Sequence, residues 1–295
     1  MMGVSAAFAS SLPLPEAQGT VAGGPDGPLA YRYWAAAAPV RGTLALVHGI
    51  GSHGACFRGL AAALAPRGWQ IYALDLPGHG LSPGNRGGLR DWAMFRDALL
   101  GFLAWLRQRH GDQPLLLLGH SMGATVTLEL ALRQPAALQS LDVRGLIVCN
   151  PALDPDAAAP WRLQLARLLS RLWPGFALET GIAPERASRD PEVLAERAAD
   201  PLRHNRCTAR LGTEFLAASA AVVAGAAQLR LPLLMQQSGA DRVTPAAAAR
   251  AFFAAAGSAE KQWKDYPQSL HELYDDLDRE QVIADLAAWL EAYGL

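Results

Sequence analysis

The stretch Leu115–Val126 reads LLLLGHSMGATV, and it sets Ser121 between Gly119 and Gly123 where an apolar run gives way to a helical pattern. The spacing is G-x-S-x-G on a strand-to-helix turn. Such a turn is strained and crowded at its centre, and a glycine two residues to either side removes the side chains that would clash. The strain lifts the hydroxyl above the carboxyl edge of the sheet, where open α/β folds bind their ligands. A helix-capping serine between flexible glycines is the plainer alternative.

A serine hydroxyl is a weak nucleophile at neutral pH unless an imidazole takes its proton during attack. Seven histidines are available. His48 and His53 follow the first parallel strand, His79 lies in PGHG, and His110 ends a helix. His120 sits inside the turn and is expected to point away from Ser121, while His204 lies in a middle segment. His271, in YPQSLHELYDD, follows the last predicted strand, where the chain order nucleophile, acid, base places the base. The acid then lies between the two. Asp241 in QQSGADRVTP follows the penultimate strand, and its carboxylate would hold the imidazole tautomer and stabilise the imidazolium. Asp154 or Asp156 in NPALDPD is the rival, and Asp241 could also be a turn residue beside Gly239. An oxyanion needs backbone donors: the N–H of Met122, and a second from HGIGSHGACF, either Ile50, which is favoured, or Gly51.

The elements that would position these groups alternate along the chain. A hairpin comes first, EAQGTVAG and LAYRYWAA about an Asp-Gly turn. Strands follow at Thr43–Gly49, Trp69–Gly78, PLLLLG and VRGLIVCNP. Between them lie helical stretches at Phe57–Ala65, Leu89–His110 and from Met122 to about Gln134. Short apolar runs alternating with amphipathic helices indicate a parallel sheet covered on both faces. The rhythm lapses between about Pro151 and Gln228, a stretch with no clear strand. It resumes with the strand LRLPLLMQQSG, a helix in TPAAAARAFFAAA with Thr244 as N-cap and Pro245 at N1, the strand KQWKDYP and a helix near Glu280–Ala292. Residues 1–150 and 229–295 thus form one α/β body, and 151–228 a helical lid.

Composition narrows the function. The 295 residues are 51% hydrophobic and 18% charged with formal net charge −1, so no basic excess points to nucleic acid. Cys56, Cys149 and Cys207 lack metal or disulfide spacing and read as free thiols in a reducing, cytoplasmic setting. The apolar N-terminus has no Lys or Arg before Arg32 and so lacks the basic start of a signal peptide.

Together DGPLAYRYW, LVHGIGSHG, YALDLPGHGLSPG, LLGHSMGA, NPAL, DPLRH and QQSGADRVTP resemble, in order, the monoacylglycerol lipase and lysophospholipase-like branch of the α/β-hydrolase superfamily. DLPGHGLS with GHSMG is specific to the superfamily; HGIGSHG, NPAL and DPLRH match the branch more loosely. Ala124 stands where a second glycine is common. The resemblance implies the α/β-hydrolase fold, a mostly parallel central sheet with helices on both faces and a helical cap insert. It also implies a Ser121–Asp241–His271 triad, Ile50 and Met122 as oxyanion donors, and an acyl tunnel under the cap. No metal or organic cofactor is called for. The expected activity is release of a fatty acid from monoacylglycerol or a similar lipophilic mono-ester. A carboxylesterase for short or aromatic esters, an acyltransferase and a non-catalytic binder are the alternatives. In the lid, Trp161, Leu165, Leu168, Leu169 and Leu172 share one helical face with Arg162, Arg167 and Arg171 largely opposite. That face is expected to pack over the body, or else to meet a membrane or micelle.

Overall fold

The structure, a computed structural model, describes residues 16–154 and 159–293. The chain opens on the expected hairpin. β1 (Glu16–Gly24) and β2 (Gly27–Trp34) pair antiparallel, Glu16 opposite Trp34. Next come β3 (Gly42–Val47), α1 (Arg58–Leu64), β4 (Trp69–Leu74), α2 (Ala93–His110), β5 (Leu115–His120), α3 (Met122–Arg133), α4 (Pro135–Ser140) and β6 (Val143–Cys149). Four residues expected to begin α2, Leu89–Trp92, precede the helix instead.

After β6 the segment without a sequence rhythm holds α5 (Pro160–Leu172), β7 (Ala177–Glu179), α6 (Pro191–Ala199), β8 (Arg206–Thr208) and α7 (Ala209–Gly225). β7 and β8 form a small antiparallel ribbon where no strand was read. Strands of three residues are too short to display a period-two pattern. The chain closes with β9 (Leu233–Ser238), α8 (Ala246–Ala255), β10 (Lys261–Tyr266) and α9 (Arg279–Tyr293).

The main sheet runs β1-β2-β4-β3-β5-β6-β9-β10. β2 meets β4 antiparallel, and from β4 to β10 the neighbours are parallel. Every residue of β3, β4, β5 and β9 is buried. Successive side chains of a strand point to opposite faces, so such runs require cover on both sides. Leu115 and Leu117 of β5 join the layer of Phe95, Leu99 and Leu103 from α2. Leu116 and Leu118 join Leu60 of α1 with Leu286 and Leu290 of α9 on the other side. This double packing makes the carboxyl ends of β5, β6 and β9 a rigid platform.

α5 and α7, between β6 and β9, are both rich in apolar side chains. α5 packs against α7, pinned by Arg210 Nη2 to the Ser170 carbonyl at 2.8 Å, and Leu163, Ala166, Leu169 and Ser170 are among its less exposed residues. Most of its apolar stripe therefore faces outward: Trp161 is 64% and Leu172 76% exposed, with Leu165 and Leu168 also exposed. The expectation that this face packs over the body is corrected; Leu169 alone of the stripe turns inward. α7 and the turn after it, Ala209–Gln228, are long and apolar enough to cross a membrane by length and composition. The helix nevertheless packs Leu211, Ala218 and Val222 toward α3 and α5.

The segment between β6 and β9 is tied to the β10–α9 connection. Arg189 reaches Asp276 at 3.1 Å and Asp278 at 2.7 Å, and Asp190 receives Arg279 at 2.7 Å. The Glu272 N–H donates to the Ala187 carbonyl at 2.7 Å.

Candidate active site

Ser121 follows β5 directly and precedes the first residue of α3, with φ 56° and ψ −121°. A non-glycine residue held at positive φ costs about 1–3 kcal/mol and persists only where its surroundings enforce it. Here they do: the Ser121 N–H is held by the Cys149 carbonyl at 3.0 Å, and its own carbonyl accepts from Ala124 N–H at 3.0 Å. A Cβ at Gly123 would lie 2.3 Å from the Val47 carbonyl oxygen, and one at Gly119 2.5 Å from the Gly123 oxygen. The flanking glycines are thus required by close backbone approach. Although Ser121 stands at the cap position of α3, its side chain caps nothing. Its hydroxyl turns to His271, which sets the capping alternative aside.

His271 Nε2 lies 2.9 Å from Ser121 Oγ, and His271 Nδ1 lies 2.8 Å from Asp241 Oδ2. An ionised carboxylate only accepts, so Nδ1 carries the proton and Nε2 offers its lone pair to the serine hydroxyl. Asp241 is buried and well supplied with donors. Its Oδ1 accepts from the N–H groups of Val243 at 2.7 Å and Thr244 at 3.0 Å, and Oδ2 from Thr244 Oγ1 at 2.7 Å. Burial by itself would raise the carboxyl's pKa. The hydrogen bonds from His271 and Thr244 outweigh it and hold Asp241 below its ordinary value. Thr244 is therefore not the N-cap of α8. Pro245 occupies the cap position rather than N1, and the threonine hydroxyl serves Asp241. Of the rival acids, Asp154 is exposed, and Asp156 lies outside the described residues.

On the other side of Ser121, a Cβ on Gly49 would come within 3.4 Å of Ser121 Oγ, so the loop after β3 borders the hydroxyl. His48 Nδ1 donates to the Gly49 carbonyl at 2.8 Å, while His48 Nε2 accepts from Leu76 N–H at 3.1 Å. Burial pushes His48 down to about 3, which keeps the ring neutral and able to do both. This bond fixes the Gly49–Ile50 peptide, whose N–H points opposite to the clamped carbonyl. Among the described residues the N–H groups of Ile50 and Met122 have no hydrogen-bond acceptor. Gly51, with φ +66°, is engaged through its carbonyl by the His204 N–H at 3.0 Å.

Two residues missed as positioners complete the frame. Asn150, at φ 43° just past β6, donates from Nδ2 to the His271 carbonyl at 2.7 Å and accepts from Ser238 N–H at 2.8 Å. His120 Nε2 donates to the same His271 carbonyl at 2.9 Å, its ring lying against that of His271 with centroids 4.8 Å apart. The sequence signal for Asn150 was its place at a strand's carboxyl end in NPAL; for His120 there was no signal beyond adjacency to Ser121.

The site opens into a cavity of about 420 Å³ bordered by Ile50, Ser121, Ile182, Leu194, Arg197 and Glu272 among others. Among the described residues no cluster of three His, Cys, Asp or Glu side chains is placed to hold a metal ion. A serine hydroxyl, an imidazole, a buried carboxylate and two backbone N–H groups without acceptors around one cavity are groups of the kind that acyl transfer through a covalent intermediate uses.

The family model described as serine aminopeptidase, S33 (Hydrolase_4), matches residues 38–278. A monoacylglycerol lipase of Mycolicibacterium smegmatis is 28% identical over 267 residues, 90% of this chain and 93% of that protein. Phospholipase YtpA of Bacillus subtilis is 27% identical, over 88% of this chain and 98% of the relative. The crystal structure of the Paleococcus ferrophilus monoacylglycerol lipase superposes with TM-score 0.80 at 27% identity, covering 90% of this chain and 99% of that one.

The Asp241 bonds carry a pH signature. Its folded-state pKa lies below the unfolded value of about 4. The stabilisation is therefore complete above that value and lost as pH falls through the folded one. Asp241→Asn should be less stable than the parent by about 1.5–3 kcal/mol at pH 7. Urea unfolding should show the gap closing toward pH 3; a gap independent of pH contradicts the assignment.

Proposed function

Because the chain belongs to the Hydrolase_4 family of α/β-hydrolases, we propose that it is a serine hydrolase that cleaves lipophilic carboxylic mono-esters, monoacylglycerol first among them. The observation that carries this reading is the unbroken path Ser121 Oγ, His271 Nε2, His271 Nδ1, Asp241 Oδ2 at a cavity lined in part by apolar side chains. Ser121 Oγ attacks the ester carbonyl while its proton passes to His271 Nε2. Negative charge gathers on the carbonyl oxygen, which the Ile50 and Met122 N–H groups receive. Removing one such donor typically costs about 3 kcal/mol of transition-state stabilisation. As the tetrahedral species collapses, His271 returns the proton to the departing alcohol, leaving an acyl group on Ser121. Water, deprotonated by the same imidazole, then releases the acid. Asp241 holds the ring and stabilises the imidazolium in both halves. Residues 1–150 and 229–295 serve as the hydrolase body and 151–228 as its cap.

The lipophilic part of the reading comes from Ile50, Ile182, Ala183, Pro184 and Leu194 among the groups that line the cavity. Each methylene buried there is worth about 0.8 kcal/mol. A panel of glycerol and p-nitrophenyl esters from acetyl to dodecanoyl should give kcat/KM rising with chain length. Ser121→Ala should abolish turnover, and Asp241→Asn should lose far more than Asp154→Asn. Rates highest for acetate would defeat the lipid reading and leave an esterase of short acids.

The outward stripe of α5 fits a lipid surface. Trp161, Leu168, Leu172 and the adjoining Trp173 and Leu178 are exposed together, beside Arg162, Arg167 and Arg171 and with no acid from 160 to 173. Apolar residues enter the acyl boundary while arginines meet anionic head groups. Flotation with vesicles containing phosphatidylglycerol should recover the protein, and Leu168→Glu with Leu172→Glu should reduce recovery several-fold. Equal recovery of parent and variant contradicts contact through this face.

A further inference from the structure

The reacting cavity is lined by unlike groups: beside its apolar residues stand Arg197, Asp200, Arg203 and Glu272. An acyl chain laid on these four would strip water from charges without replacing it, whereas an alcohol bearing hydroxyls could supply donors and acceptors. Most of these groups are already engaged. Arg197 Nη1 is 2.5 Å from Glu272 Oε1, and Asp200 Oδ2 is 2.6 Å from His53 Nε2. Asp200 Oδ1 accepts from Leu202 N–H at 2.9 Å, closing the turn that presents Arg203.

Arg203 is the exception. Its side chain is only 15% exposed, yet its nearest acid, Asp200, stands 3.8 Å from Nε, and among the described residues its guanidinium makes no hydrogen bond. A guanidinium carries five N–H donors, and one so nearly buried ordinarily fills them. Arg203 lines a second cavity of about 1000 Å³ as well as the reacting one. Its charge acts on Glu272, next to His271: burial would raise the pKa of Glu272, but Arg197, His120 and Arg203 hold it well below the usual carboxylate range.

We propose that Arg203, with Glu272 and Arg197, forms the subsite for the leaving alcohol, and that this subsite takes a neutral polyhydroxy alcohol such as glycerol. The inference rests on the ester-hydrolase reading above and sharpens it on the alcohol side. Arg203 donates to hydroxyl oxygens, and the carboxylates accept hydroxyl protons. Two guanidinium charges are matched by Asp200 and Glu272, so a phosphorylated head would meet carboxylates as well as arginines. A bare methyl ester would leave the Arg203 donors unfilled.

The test compares monodecanoylglycerol with methyl decanoate, which share an acyl chain. In Arg203→Leu the ratio of their kcat/KM values should fall about tenfold or more, a loss of about 1.4 kcal/mol specific to the glyceryl ester. The loss should appear mainly in KM, and Arg203→Lys should recover part of it. A ratio within twofold of the parent overturns the subsite. The unaltered protein offers an independent check that does not depend on a variant folding. The non-hydrolysable 1-O-decylglycerol should inhibit about tenfold more tightly than decyl methyl ether, and equal inhibition overturns the proposal. Faster cleavage of decanoyl lysophosphatidic acid than of monodecanoylglycerol overturns the preference for a neutral head. Parent protein that cleaves neither decanoate ester refutes the hydrolase reading; parent protein that cleaves both, with an unmoved ratio in Arg203→Leu, refutes the subsite alone.

Discussion

The His271 ring must meet a carboxylate at one nitrogen and a hydroxyl at the other, although it hangs from a connection rather than from a strand or helix. A free loop would not hold both contacts, because ordering its residues costs about 1–2 kcal/mol each in backbone entropy. The protein meets this constraint by gripping the backbone at His271 from the sheet. Its carbonyl receives Asn150 Nδ2 and His120 Nε2, and the preceding carbonyl, at Leu270, receives Ser238 Oγ at 2.6 Å. The three donors stand at the carboxyl ends of β5, β6 and β9. The rigidity of the doubly covered sheet is thereby passed to a loop side chain.

The segment between β6 and β9 is bonded to the same loops. The His271 N–H points to the Arg186 carbonyl at 3.4 Å, Glu272 pairs with Arg197, and His53 of the loop after β3 pairs with Asp200. Residues between β6 and β9 therefore border both His271 and the loop after β3. The same segment lines the cavity beside Ser121 with apolar and charged groups, while α5 presents tryptophan, leucine and arginine to the surroundings.

Much of this was legible in the sequence because it rests on local rules. Buried parallel strands are continuous apolar runs, so β3, β4, β5 and β6 stood out. The glycines at 119 and 123 announce a close backbone approach, and chain order points to Asp241 and His271. What escaped depends on contacts between distant segments. Thr244 followed by Pro245 reads as a helix start, but the hydroxyl is drawn to Asp241, a choice that only the assembled loops decide. The stripe on α5 is amphipathic whichever way it faces; its outward orientation follows from α7 having claimed the Ser170 side. Arg203 entered the sequence reading only as part of DPLRH, with no role, since its environment is built from segments around 53, 197 and 272.

The central claim is that Ser121 is made reactive by His271 and Asp241 acting through one line of hydrogen bonds. Labelling with a fluorophosphonate, followed by peptide mass mapping, tests it most directly. The account predicts a single modified residue, Ser121, in the folded protein, with labelling at least about a hundredfold slower in His271→Ala. Folded protein that takes up no label at Ser121, or labelling that is indifferent to the loss of His271, would contradict it.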